Sequence, residues 1–187
     1  MEKMTNSSLC NLAKFFGIAG RLKRTPRSGW VEVDIHQPES VADHTFRTSI
    51  LCMVYSDLEG LDEVKLLRMA LTHDLSEAII GDLTPSRKTT GSKEEEDAAM
   101  NQILSLLPKK QREKYIAVWK EYQEGKTKEA KAVRQLDKLE MALQAKEYEE
   151  AGSTRQSLDR FIESAEKVIV WPELRRLLSC ILGERHQ

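Results

Sequence analysis

Apolar residues return at three- and four-residue intervals through nearly every long segment of this chain. A sheet requires side chains that alternate between two faces, and only Val31, Val33 and Ile35 do so, in a short run ending at Pro38. The fold is therefore expected to be all-α, with that run an extended connection or a brief strand. The 187 residues, 40% of them hydrophobic, suit one domain with a full core, and no repeat or linker divides them.

Helix signals set the expected order. A first helix runs from Ser7 to Leu22 with Leu12, Phe15, Phe16 and Ala19 on one face, and Arg24 to Trp30 breaks it. Ser40 caps a helix reaching about Leu58, and Asp62 caps another running from Glu63 to about Ile80, which Gly81 ends. Gly81 to Arg87 reads as a loop. Ser92 opens a helix whose acidic first turn, Glu94 to Asp97, suits the positive end of the helix dipole. Further helices are expected at about 93–107, 109–123, 127–150, 155–169 and 172–183, the last started by Pro172.

Composition removes several classes of function. Lys plus Arg number 29 and Asp plus Glu 30, a net charge of −1, so no global field draws in a nucleic-acid polymer or an anionic membrane. Cys10, Cys52 and Cys180 are odd in number and far apart, as expected of free thiols in a reducing compartment. The start, Met1 to Asn6, shows no basic segment followed by an apolar core, and no stretch approaches the ~18 apolar residues of a membrane span. A cytoplasmic protein is expected.

Three inward-facing positions carry residues that a plain core would not. His73 and Asp74 adjoin within an apolar helix, flanked by Leu66 to Leu71 and Ala78 to Ile80, where a buried carboxylate needs a cation or several donors. His44 shares the inward spacing of Val41, Thr48, Leu51 and Tyr55; alone it also reads as a core histidine bonded to a carbonyl. Asp137 lies in line with Val133 and Met141, with Arg134 or Lys138 as an ordinary intrahelical partner. Imidazole mixed with carboxylate suits Mn, Fe, Co, Ni, Zn or Mg. Glu77, four residues after His73, and Asp82 just past the helix would open onto the same cavity, as base or as holders of a second cation. A surface ion pair for Glu77 and a plain turn for Asp82 are the alternatives.

This arrangement resembles the HD-domain phosphohydrolases, whose pattern is a His, then His-Asp, then a distant Asp on separate helices of an all-α bundle. His44, His73-Asp74 and Asp137 match it. The strings His73 to Ala78, Gly81 to Pro85 and Pro38 to Thr45 are similar to the 5′-deoxynucleotidase group, eukaryotic members above all. The resemblance spans about Phe15 to Glu150, so a metal-site core over about 15–150 and C-terminal helices over 151–187 are expected. It makes His44, His73, Asp74 and Asp137 ligands of a divalent metal. Glu77 and Asp82 become catalytic or second-metal groups, and Asp82, Leu83, Thr84, Pro85 and Trp30 touch the nucleotide. Bacterial members carry an arginine directly before the tryptophan, where Gly29 stands here; Arg24, Arg27, Arg47 or Lys88 is expected to take over the phosphate.

The implied activity is metal-dependent release of phosphate from (deoxy)nucleoside 5′-monophosphates by a homodimer. Rival esters are an alarmone, a nucleoside triphosphate or a cyclic dinucleotide. Ala78 stands where the alarmone hydrolases have a second acid, triphosphohydrolases are larger chains, and no Gly-Tyr-Pro string is present. A catalytically idle regulatory module would be expected to have lost a ligand, and all four remain.

Overall fold

The computed structural model describes residues 5–183; residues 1–4, on which the reading of the N-terminus rested, and 184–187 lie outside them. The described residues are all-α: α1 (Asn6–Ala19), a 3₁₀ turn (Gly20–Arg24), α2 (Ser28–Val31), α3 (Val41–Glu59), α4 (Glu63–Thr72), α5 (Glu77–Ile80), α6 (Ser92–Leu104), α7 (Lys109–Glu124), α8 (Lys128–Glu150), α9 (Arg155–Val168) and α10 (Pro172–Leu182). None is long and apolar enough to cross a membrane. The caps follow the sequence. Ser40 and Asp43 close a capping box on α3, the Asp62 side chain accepts from Lys65 N–H, and the Thr127 hydroxyl accepts from Ala130 N–H.

Helix α8 is the axis of the bundle, packed by α3, α4, α7, α9 and α10. Ala130, Ala132, Ala142 and Ala145 let neighbouring backbones come close, while Val133, Leu136 and Leu139 fill the space between. Burying each of the larger side chains contributes roughly 1.5–3 kcal/mol. A second apolar cluster, built from Leu22, Val41, Leu75, Met100, Ile103 and Trp119, seats α1 and α6 on the other side of the site.

Two expectations fail for local reasons. The run from Val31 is not extended: Trp30 lies in α2, and Asp34 and Gln37 adopt left-handed φ of 56° and 58°, which bend the chain. Among the described residues, strand-like pairing is confined to one bridge between Pro26 and Ser40. Nor does one helix run from Glu63 to Ile80. It stops at Thr72, and residues 72–78 tighten into turns in which Leu75, Glu77 and Ala78 each bond the carbonyl three residues back. His73 caps α4 and Asp74 lies in that turn, rather than both sitting inside a helix.

Candidate metal centre

The break after α4 brings His73 and Asp74 to bear on one point. His73 Nδ1 lies 2.7 Å from the Ala70 carbonyl, an acceptor, so this nitrogen carries the proton and Nε2 the lone pair. Nε2 is buried without a hydrogen-bond partner and faces Asp74 Oδ2 at 3.1 Å. From α3, His44 does the same. Its Nδ1 bonds the Glu140 carboxylate, while Nε2, also buried and unpartnered, stands 3.1 Å from Asp137 Oδ1 and 3.7 Å from Asp74 Oδ2. Ligand atoms of His44, His73 and Asp74 lie within 4.8 Å of one another.

Electrostatics mark the same point. Burial alone would raise the carboxyls of Asp74 and Asp137, yet neighbouring side chains hold both well below the usual range: His73, Arg27 and His44 act on Asp74, and Lys138, His44 and His73 on Asp137. Burial and Arg27 pull His44 down, but the facing carboxylates of Asp137 and Glu140 outweigh them and raise it to about 9. Glu77 Oε2 is buried without a partner, and burial with the charges of Asp74 and Asp82 pushes this carboxyl up to about 10. Two unpartnered imidazole nitrogens and the Asp74 carboxylate converge in a buried space, with Asp137 Oδ1 beside His44 Nε2, a donor set that fits a divalent cation of the Mn-to-Zn series or Mg.

The centre opens into a cavity of about 450 Å³, ample for a nucleotide. Arg27, Trp30, Asp74, Glu77, Asp82, Leu83, Thr84, Pro85 and Asp137 line it, as does His73. Asp82 is fixed by Ser28, whose N–H donates to Oδ2 at 2.6 Å and whose hydroxyl donates to the Asp82 carbonyl at 2.8 Å. Gly81, at φ 80° and ψ 167°, ends α5 and turns the chain toward that contact, in a conformation side chains disfavour. Arg27 reaches Asp74 at 3.2 Å and Asp82 at 3.8 Å. Thr84 donates to Glu32 at 2.7 Å.

Arg47 departs from the expected set. Its guanidinium is spent on Glu140, Gln144 and Glu147 of α8, and it is absent from the cavity wall. Trp30 lines the cavity but is only 2% exposed, packed on Phe161 and Tyr148 with its indole N–H donating to Glu39 at 2.9 Å. Of the two intrahelical partners weighed for Asp137, Lys138 lies 3.1 Å from Oδ2, whereas Arg134 donates to the carbonyls of Tyr122 and Gln123; Oδ1 faces His44.

Sequence reasoning missed Glu140, Tyr122 and the wall given by α9, where Arg160 and Phe161 reach the cavity. Glu140 had a signal, because it follows Asp137 by three residues on the inward face. Arg160 donates to the Gly29 carbonyl at 2.9 Å, and a Cβ at Gly29 would stand 2.9 Å from the Phe161 ring, so a side chain there would have to displace that ring.

A family model described as HD domain matches residues 19–175. The 5′-deoxynucleotidase HDDC2 of Mus musculus is 37% identical over 188 residues, covering 100% of this chain and 94% of the mouse protein. The 5′-deoxynucleotidase hdd1 of Schizosaccharomyces pombe is 36% identical over 192 residues, covering 98% and 95%. Among solved structures, the PH0347 protein of Pyrococcus horikoshii OT3 superposes with a TM-score of 0.74 at 36% identity, over 90% of this chain and 97% of that one.

Proposed function

Because the chain belongs to the HD-domain family, we propose that it is a divalent-metal-dependent hydrolase that releases phosphate from (deoxy)nucleoside 5′-monophosphates. The observation that carries this reading is the pair of buried, unpartnered Nε2 atoms of His44 and His73 facing Asp74 and Asp137, with His73 and the two aspartates lining a nucleotide-sized cavity. These four side chains would hold the cation. When bound, it supplies positive charge that polarises a phosphoryl oxygen and makes water more acidic.

The chain's own groups account for the rest. Glu77 Oε2, buried and unpartnered in the cavity wall beside Asp74 and Asp82, is the acceptor for a proton of the attacking water. Asp82, clamped by Ser28, shares that role or helps hold a second cation. Leu83, Thr84, Pro85 and the exposed part of Trp30 bound the nucleoside. Of the four basic residues expected to take over the phosphate, Arg27 and Lys88 line the cavity, with Arg27 already drawn toward the carboxylates.

The outer face of α3 supports a homodimer. Phe46, Ile50, Met53, Val54 and Leu58 form an exposed apolar stripe, 68% exposed at Phe46 and 75% at Leu58, while the inner face carries Thr45, Thr48, Ser49 and Ser56. The free thiols of Cys10, Cys52 and Cys180 support a cytoplasmic setting, and α9 lining the cavity supports one domain over 1–187. Metal analysis, followed by phosphate release from ribo- and deoxyribonucleoside mono-, di- and triphosphates, tests the activity. Monophosphates should be cleaved and chelator should abolish release; tripolyphosphate from a triphosphate with monophosphates untouched would reject it. Sedimentation of Ile50→Lys tests the dimer, which should dissociate.

A further inference from the structure

We infer that Glu140 is a positioning residue for the metal centre, acting through His44, and that Arg47 holds Glu140 in place. The inference rests on the reading of His44 as a metal ligand. His73 and His44 solve one problem in different ways. An imidazole that offers Nε2 to a cation needs an acceptor for its Nδ1 proton, which fixes both ring rotation and tautomer. For His73 that acceptor is the carbonyl of Ala70, three residues back in the last turn of α4. For His44 it is a carboxylate brought in from α8, 96 positions away.

Glu140 is fully buried, and a carboxylate in that setting is tolerated only with donors on both oxygens. Oε2 takes the His44 Nδ1 proton; Oε1 takes Arg47 Nε at 2.9 Å, with Nη2 also at 2.9 Å. The remaining guanidinium protons go to Glu147 and Gln144, each at 2.6 Å. Residues 140, 144 and 147 lie on one face of α8, so Arg47 grips a rail rather than a single group.

Spacing completes the argument. His44 and Arg47 are three apart on α3, and Asp137 and Glu140 are three apart on α8. The imidazole is thus held between two carboxylates one turn apart, with Asp137 beside Nε2 and Glu140 on Nδ1. A negative partner at Nδ1 strengthens Nε2 as a donor to a cation, which the neutral carbonyl behind His73 does less.

The test titrates metal-stripped protein with Co²⁺, read by calorimetry and by the visible absorption of the bound ion, in wild type, Glu140→Gln, Arg47→Met and the double variant. Glu140→Gln keeps the shape and removes the charge, and should weaken Co²⁺ binding about 10- to 100-fold. Arg47→Met should weaken it less, and the double variant should be no worse than Glu140→Gln alone, because Arg47 acts through Glu140. Affinity and spectrum unchanged in a folded Glu140→Gln would overturn the inference. So would Arg47→Met costing the same factor in both backgrounds. If Glu140→Gln does not fold, Arg47→Met decides, and wild-type affinity there refutes the idea. A wild type that takes up no Co²⁺ but hydrolyses nucleotides with another metal, Mn²⁺ or Zn²⁺, moves the titration to that metal. No uptake of any of the three removes the metal reading itself, and this inference with it.

Discussion

Replacing Arg27 with methionine should show first in the stability of metal-free protein. Its guanidinium lies 3.2 Å from Asp74 and 3.8 Å from Asp82, with the three side chains 15%, 17% and 10% exposed. Removing one partner of a fully buried pair costs roughly 3–5 kcal/mol. The residual exposure lets water reach the carboxylates, which puts the expectation at the low end, about 3 kcal/mol. For a chain of this size each kcal/mol moves the melting temperature by roughly 2–4 °C, so the metal-free variant should melt about 6–12 °C lower. A divalent cation neutralises the same carboxylates. At a hundred times its dissociation constant it should stabilise the wild type by about 2.7 kcal/mol. The variant should gain more at the same metal concentration, since no arginine competes for Asp74. Calorimetric melts with chelator and with excess Mn²⁺ measure both shifts. A metal-free variant melting within about 2 °C of wild type, or an equal metal-induced rise in the two proteins, would refute the reasoning.

Glu77→Gln should retain metal while kcat falls about 10²- to 10⁴-fold if the carboxylate is a base; loss of one metal equivalent, recovered with excess metal, would assign it to a second cation instead. Trp30→Ala should cost about 3–5 kcal/mol in denaturant unfolding, because the indole is buried and its N–H bonds Glu39; a raised KM with unchanged stability would contradict its core position. Glu39 is pushed up to about 7, chiefly by burial and by the charge of Glu140. The folded state thus holds its proton more tightly, so this stabilising contribution, at most about 3 kcal/mol, is complete below pH 4.5 and lost as pH rises through 7. Glu39→Gln should flatten that part of the stability profile, and an unchanged slope would show that another group sets it.

The helices were legible because their periodicity and caps are local: Ser40, Asp62 and Pro172 mark starts that the structure keeps. The break at Thr72 was not, since residues 66–80 carry no Gly or Pro, and the tightening comes from side chains such as Thr72 bonding the Arg68 carbonyl. Val31, Val33 and Ile35 alternate like a strand, but Asp34 and Gln37 turn left-handed, which the alternation does not encode. In the site, residue type and spacing singled out His44, His73, Asp74 and Asp137. They misjudged Arg47, whose partners sit about 100 residues away, and passed over Glu140 in a helix dense with Lys and Glu. Long charged side chains declare their solvent preference in sequence but not their partner in space.

The contact of Arg160 with Gly29 spans 131 positions. Chains emerge from the ribosome N-terminus first, and a contact of that separation closes a long loop late. A chain cut after Glu150 would keep His44, His73, Asp74 and Asp137, together with all of α8, and lose Arg160 and Phe161, so the donor residues and the last wall of the cavity come from separate stretches of the chain.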